Sequence, residues 1–209
     1  MSARRHAGGR CPTLENVKRS TERILTTHTG SLPRTPELTK LLVARERGRE
    51  YSQEDFDREV KRGLDLVLDG QRDAGIDVAN DGEVPRVGFS TYVTERMTGF
   101  GGISQRKQSL DLQKFPEWAK FGDSQIGIAE DLARVWDTAQ AQDAVRYEDD
   151  LAGISYDMGV FDQALQARAG EFTETFVSAA SPGIVTTTML RDPSNPAYPT
   201  DADYVFGVA

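Results

Sequence analysis

At 209 residues the chain suits one domain, or part of a larger one, and is long enough to bury a real core. Acidic residues outnumber basic ones by 33 to 25, a formal charge of −8, which argues against nucleic acid or an anionic membrane surface as partner and suits a cytoplasmic protein. A single cysteine, Cys11, rules out an intramolecular disulfide and a multi-thiolate zinc cage within this chain, and only His6 and His28 add to its ligand inventory.

Residues 1–20 carry arginines but no apolar core or cleavage signature, and they read as a flexible basic tail. No later run approaches the roughly 18 apolar residues that a membrane span needs. The stretch Ile24-Leu25-Thr26-Thr27 is a short β-branched strand, which runs through His28-Thr29 into Gly30-Ser31 and is stopped by Pro33. Gly30 lets the backbone approach a ligand, and Ser31 adds a hydroxyl and free N–H groups suited to a small anion such as a carboxylate. The same four residues, Gly-Ser-Leu-Pro, also serve as a plain connection from strand to helix.

Thr35 caps the next helix, with Pro36 and Glu37 in its first turn and Leu38, Leu41 and Leu42 as one apolar stripe ending near Gly48. Ser52 and Asp55 resemble a capping box, and Phe56, Val60, Leu64, Val67 and Leu68 recur at helical spacing as far as Ala74. Gly75 supplies the left-handed cap, after which Ile76 to Ala79 predicts a buried strand. Asn80-Asp81-Gly82-Glu83 follows, then Val84, Pro85 and Arg86, so a second strand ends in a polar, glycine-bearing turn. Arg34 and Arg86 flank the two turns and would suit either a carboxylate or sulfonate tail or ordinary ion pairs.

From Phe89 to Asp143 the periodicity loosens, with at most one short strand in 122–131, and the region reads as an insertion between regular units. Ala144 to Tyr147 predicts a strand and Tyr156 to Ala169 a helix closed by Gly170. Phe176 to Ala180 predicts another strand, stopped by Ser181-Pro182-Gly183. Pro193, Pro196 and Pro199 keep the chain extended until Asp201 caps a helix beginning at Tyr204. Strands alternating with helices imply a parallel sheet, yet only four or five strands are legible, against the eight strands and roughly 250 residues of a closed (β/α)₈ barrel. The expectation is the N-terminal half of such a barrel with an irregular insertion, residues 21–209 forming the barrel part.

In order and spacing, Thr26-Thr27-His28-Thr29-Gly30-Ser31-Leu32-Pro33-Arg34, the long helix through Gln71 and Gly75, Asp77-Val78, Asp81-Gly82-Glu83 with Arg86, and Ser178-Ala179-Ala180-Ser181-Pro182-Gly183 resemble one family. That family is the catalytic domain of cobalamin-independent methionine synthase, with its short synthase-like relatives and the epoxyalkane:coenzyme M transferases. The resemblance implies a TIM barrel that binds a thiol on zinc and methylates its sulfur. The donor would be methyl-tetrahydropteroylglutamate and the acceptor homocysteine. It further implies that Gly30, Ser31 and Glu83 together hold the amino-acid end of homocysteine, the turn taking its carboxylate and Glu83 its ammonium. By its own position, His28 at the same strand end could touch substrate or serve as a local hydrogen-bonding residue, and Arg86 could take an anionic tail. Thr29 stands where the synthases have isoleucine, and Asp81 where they have histidine. The zinc expected of the full-length family would be held by a His-Cys pair and further ligands of the barrel's second half, which this chain lacks; it is therefore expected to be an inactive fragment. Two alternatives stand beside this reading. One is addition of a coenzyme M-like thiol to an epoxide; the other is a half-barrel without chemistry of its own that assembles with a partner or with itself through open sheet edges.

Overall fold

The computed structural model describes residues 18–88, 92–104, 110–118, 120 and 138–209. Cys11, His6, most of the expected tail and the weak strand of 122–131 lie outside the described residues. The elements in chain order are α1 (Pro36–Glu46), α2 (Gln53–Asp73), β1 (Val78–Asn80), a 3₁₀ turn (Tyr92–Glu95), β2 (Met97–Gly101), α3 (Leu110–Lys114), β3 (Gln140–Tyr147), α4 (Ala152–Gln166), β4 (Glu174–Phe176), α5 (Pro182–Thr188) and α6 (Asp201–Val208).

Three stretches lie side by side and parallel. β1 pairs with β4 in the register Val78 to Glu174, Ala79 to Thr175 and Asn80 to Phe176, and Thr27 makes a single parallel bridge to Val78 on the other side. The expected first strand is therefore reduced to one bridge. Its hold on β1 comes largely from side chains: Asp77 Oδ2 accepts from the Thr26 amide at 2.9 Å, from Thr26 Oγ1 at 3.1 Å and from Arg23 Nη1 at 2.7 Å.

α1 and α2 start where their caps predict. The Thr35 hydroxyl accepts from the Leu38 amide and the Ser52 hydroxyl from the Asp55 amide, at 3.2 Å each. The stripe Phe56, Val60, Leu64, Val67 and Leu68 is buried, together with Leu38, Leu42, Ala79, Val84, Val87, Phe161 and Ala164, in a core between α1, α2, β1 and α4. α4 begins at Ala152, earlier than the spacing predicts. Its N-cap is Leu151, in a left-handed conformation, whose own side chain cannot cap; the Asp150 carboxylate one residue earlier accepts from the Ala152 amide at 3.1 Å instead, a signal displaced from the usual cap position. Ser181 and Pro182, read as a stop, instead open α5: the serine hydroxyl accepts from the Ile184 amide and Pro182 takes the first helical position. α6 is capped by Thr200 in a capping box with Asp203, one residue before the Asp201 that the sequence favoured.

The insertion carries its own structure. β2 and β3 pair antiparallel, Met97 opposite Tyr147 and Gly101 opposite Gln140, so the strand expected at 144–147 begins at Gln140. Tyr92, Met97, Ala141 and Val145 pack with Val185, Met189, Tyr198, Tyr204 and Val208 into a second core. No helix among the described residues is long and apolar enough to cross a membrane.

Two glycines of α2 test this packing in opposite directions. A Cβ at Gly63 would sit 2.8 Å from Val84 Cγ1 and 3.3 Å from Leu38 Cδ2, whereas one at Gly70 would meet nothing within 4 Å. Gly63→Ala should cost about 1–3 kcal/mol by overpacking a stiff β-branched neighbour, and Gly70→Ala should add about 0.5–1 kcal/mol through helix propensity; urea melts of the two variants read both signs.

Asp77 sets an acid limit. Arg23 first, and then the Thr26 groups, hold its carboxyl well below the usual carboxylate range. A depressed acid contributes stability above its unfolded pKa, about 3.9, and loses it as pH falls toward the folded value. Asp77→Asn should therefore lower stability at pH 7 and flatten its decline below about pH 4, as followed by circular dichroism in acid titrations.

Candidate functional site

The two polar turns meet. Ser31 Oγ donates to Glu83 Oε2, and the Leu32 amide donates to the Gly82 carbonyl at 2.9 Å, so the turn after Thr27 and the turn after β1 share one rim. Gly30 takes a positive φ of 99°, and Ser31 is exposed. Among the described residues, no group accepts from the Gly30 or Ser31 amide, which leaves two N–H donors free beside a hydroxyl.

Asn80 holds these turns in place from the end of β1. Its Nδ2 donates to the His28 carbonyl at 2.6 Å and its Oδ1 accepts from the Gly82 amide at 2.8 Å. Its own backbone is fixed by buried Gln71 of α2, whose Nε2 donates to the Asn80 carbonyl at 2.8 Å and whose Oε1 accepts from the Asn80 amide at 3.1 Å. The long helix thus acts on the rim through one amide side chain. His28 turns inward to its own loop, with Nε2 2.9 Å from the Gly30 carbonyl, and is half-buried.

Glu83 is 5% exposed, and its carboxylate forms no ion pair among the described residues. Asp81, two residues earlier, has both oxygens in use: Oδ1 accepts from the Glu83 amide at 3.1 Å and Oδ2 from Arg86 Nη2. Burial pushes the Asp81 carboxyl up, against the pull of Arg86.

Arg86, expected beside the substrate, is 1% exposed. Besides Asp81 it donates through Nη1 to the Ser178 carbonyl at 2.6 Å, beyond the end of β4, and its guanidinium carbon lies 5.4 Å from the centre of the Tyr92 ring. Arg96 faces the same ring at 4.5 Å and pairs with Asp157. Arg34 is taken up by the backbone of the Glu83 turn. The structure thus brings Gly30, Ser31, Glu83 and His28 to one rim and sets Arg86 behind it. Asn80, Gln71 and the structural use of Asp81 are additions to the sequence reading. Asn followed by Asp-Gly at a strand end is an Asx-turn pattern, so part of this was available from local sequence.

Residues 24–116 match the model of the cobalamin-independent synthase catalytic domain. That stretch is less than half of the chain, and over it the chain is similar to that domain. Two strains of Acidithiobacillus ferrooxidans have a 5-methyltetrahydropteroyltriglutamate–homocysteine methyltransferase that is 36% identical over 75 residues, which are 36% of this chain and 9% of each relative. The chain therefore matches only a small part of those enzymes. A solved B12-independent methionine synthase from a Shewanella species, in complex with selenomethionine, aligns with 87% of this chain and 44% of its own, with a TM-score of 0.51 and 17% identity. That likeness is one of fold.

Among the described residues, no group of three or more His, Cys, Asp or Glu is placed to hold a metal ion. The donors at the rim are also committed: His28 to Gly30, Asp81 to Arg86 and the Glu83 amide, Glu83 to Ser31. The zinc implied by the family does not fit this part of the fold.

The buried Asp81–Arg86 pair gives a direct test of what locks the rim. Arg86→Met leaves Asp81 and nearby Asp157 without their shared cation, and should cost about 3–5 kcal/mol in urea denaturation. Adding Asp81→Asn to that variant should recover part of the loss, because the uncompensated charge is then gone.

Proposed function

We propose that this chain forms the amino-acid-binding rim of a barrel-type thiol methyltransferase, acting on homocysteine or a close analogue with a methyl-folate donor. Thr27, β1 and β4 would be the first three strands of the (β/α)₈ sheet within residues 21–209, with β2 and β3 an excursion from it. The single observation that carries the reading is the Ser31 hydroxyl on the Glu83 carboxylate, next to two unpaired amides. A carboxylate with spare acceptor capacity suits an ammonium, and the Gly30 and Ser31 amides suit a carboxylate, so the two ends of an amino acid find opposite partners on one rim. The matched family segment and a solved relative holding selenomethionine support an amino acid with a sulfur-type side chain as the first ligand to try.

These residues bind and orient; none of them is placed to activate the thiol. In the wider family that work belongs to zinc, which lowers a thiol's pKa by coordination. The alternative substrate, a sulfonate thiol, is disfavoured at this rim. It lacks the ammonium that Glu83 would pair with, and Arg34 and Arg86 are already engaged by carbonyls and Asp81.

Calorimetric titration with L-homocysteine and L-methionine tests the reading. The wild-type chain should bind; Glu83→Gln should weaken binding about tenfold or more by removing the charge partner, and Ser31→Ala by about two- to tenfold. Binding of 2-mercaptoethanesulfonate in preference to both amino acids would transfer the assignment to the epoxide-opening reaction. Absence of binding by any of the three would overturn it.

A further inference from the structure

The turn that carries Glu83 has a feature that ligand binding does not explain. Four successive backbone carbonyls, of Glu83, Val84, Pro85 and Arg86, each accept from an arginine side chain. Arg34 Nη2 donates to Glu83 O at 2.8 Å and to Arg86 O at 2.7 Å, and its Nε to Val84 O at 3.3 Å. Arg45 Nη2 donates to Pro85 O at 3.0 Å. The four residues are buried, so these carbonyls would otherwise lack much of their hydrogen bonding.

The same turn holds two successive left-handed residues, Gly82 at φ 58° and Glu83 at φ 56°. Glycine adopts that region freely and glutamate does not, so the conformation at Glu83 must be imposed by its surroundings. Its N–H side is held by Asp81 and its C=O side by Arg34. Arg34 is half-buried, and Arg45 has partners of its own outside the turn. Burial lowers the Arg34 pKa while the Glu83 charge opposes the shift, and an arginine remains a cation in either case. Arg45, in the last turn of α1, pairs with Glu95 at 3.0 Å and lies over the Phe56 ring at 4.5 Å.

We propose that Arg34 and Arg45 are positioning residues: their guanidinium groups hold the 82–86 turn in the left-handed conformation that aims the Glu83 carboxylate at Ser31. The inference rests on the reading of Glu83 as the ammonium contact, but the turn itself reports without any ligand.

Amide hydrogen exchange, measured residue by residue by NMR, is the test. In Arg34→Met, exchange at Leu32, whose amide meets Gly82 O, and at Glu83, whose amide meets Asp81, should accelerate about tenfold or more. The amides of Val60, Leu64 and Leu68 in α2 should keep their wild-type rates. Adding Glu83→Gly to Arg34→Met should return Leu32 toward wild-type protection, because glycine needs no help at that φ, whereas Glu83→Ala should not. Should Arg34→Met fail to fold, Arg34→Lys, which keeps the charge and loses the planar fork, carries the same comparison. A uniform acceleration across α2 and the turn, or no change at Leu32 and Glu83, overturns the proposal. L-homocysteine titration of the same proteins separates the two ideas. If wild type fails to bind while the exchange pattern holds, the binding assignment falls and the arginine clamp stands. If wild type and Arg34→Met bind equally, the positioning role falls.

Discussion

Everything at the rim depends on one turn, residues 81–86, keeping a non-glycine residue in a conformation it would not choose. A left-handed glutamate costs on the order of 1–2 kcal/mol relative to the right-handed region. The surrounding hydrogen bonds offset this: Asp81 takes the Glu83 amide, Arg34 takes its carbonyl, and Gly63 leaves room for Val84 to pack against α2. The turn is also tied sideways, by the Leu32 amide to the first loop and by Arg86 to Ser178 after β4. Three separate parts of the chain thus meet at one strand end, and the carboxylate that projects there is placed by all of them.

Electrostatics then decides what such a rim can accept. Arg34, Arg86 and Arg96 do not form an anion site, because each is occupied, by backbone carbonyls, by Asp81 and Ser178, and by Asp157. Of the carboxylates, Asp81 and Asp157 pair directly with cations, whereas among the described residues the Glu83 carboxylate is hydrogen-bonded to a hydroxyl and makes no ion pair. The remaining capacity is therefore one anionic acceptor and a pair of backbone donors. That combination matches a zwitterion better than a simple anion, since a free sulfonate or phosphate beside Glu83 would meet like charge.

The insertion shows how the fold accommodates a long excursion without disturbing this arrangement. The β2–β3 pair and α5 and α6 build a core of their own around Tyr92, Met189, Tyr198 and Tyr204. Tyr204 donates to the Met189 carbonyl at 2.8 Å, and Tyr198 accepts from the Val145 amide at 2.7 Å, so the aromatic rings of this core also fasten its strands and helices. Tyr92 links it to the rim, set between Arg86 and Arg96 and accepting from the Ala180 amide at 3.2 Å, as does Glu95 through its 3.0 Å pair with Arg45.

The amino-acid sequence alone determined the parts whose cause is local. α1 and α2 follow from Thr35, Ser52 and the apolar spacing of Phe56 to Leu68, and the two glycine-bearing turns follow from Gly30-Ser31 and Asp81-Gly82. The order of those motifs was enough to point to the family that residues 24–116 match. Only the tertiary structure decided where α4 starts, because the Leu151 side chain offers no cap, and that Ser181-Pro182 opens a helix instead of closing a strand. It alone decided that Arg34 and Arg86 serve the backbone and Asp81 in place of a ligand. The reason is physical: caps and periodicity act over one or two turns of chain, whereas the partner of a long cationic side chain is chosen by whatever the fold brings within its reach, here about 50 residues away for Arg34 and 92 for the Arg86–Ser178 contact.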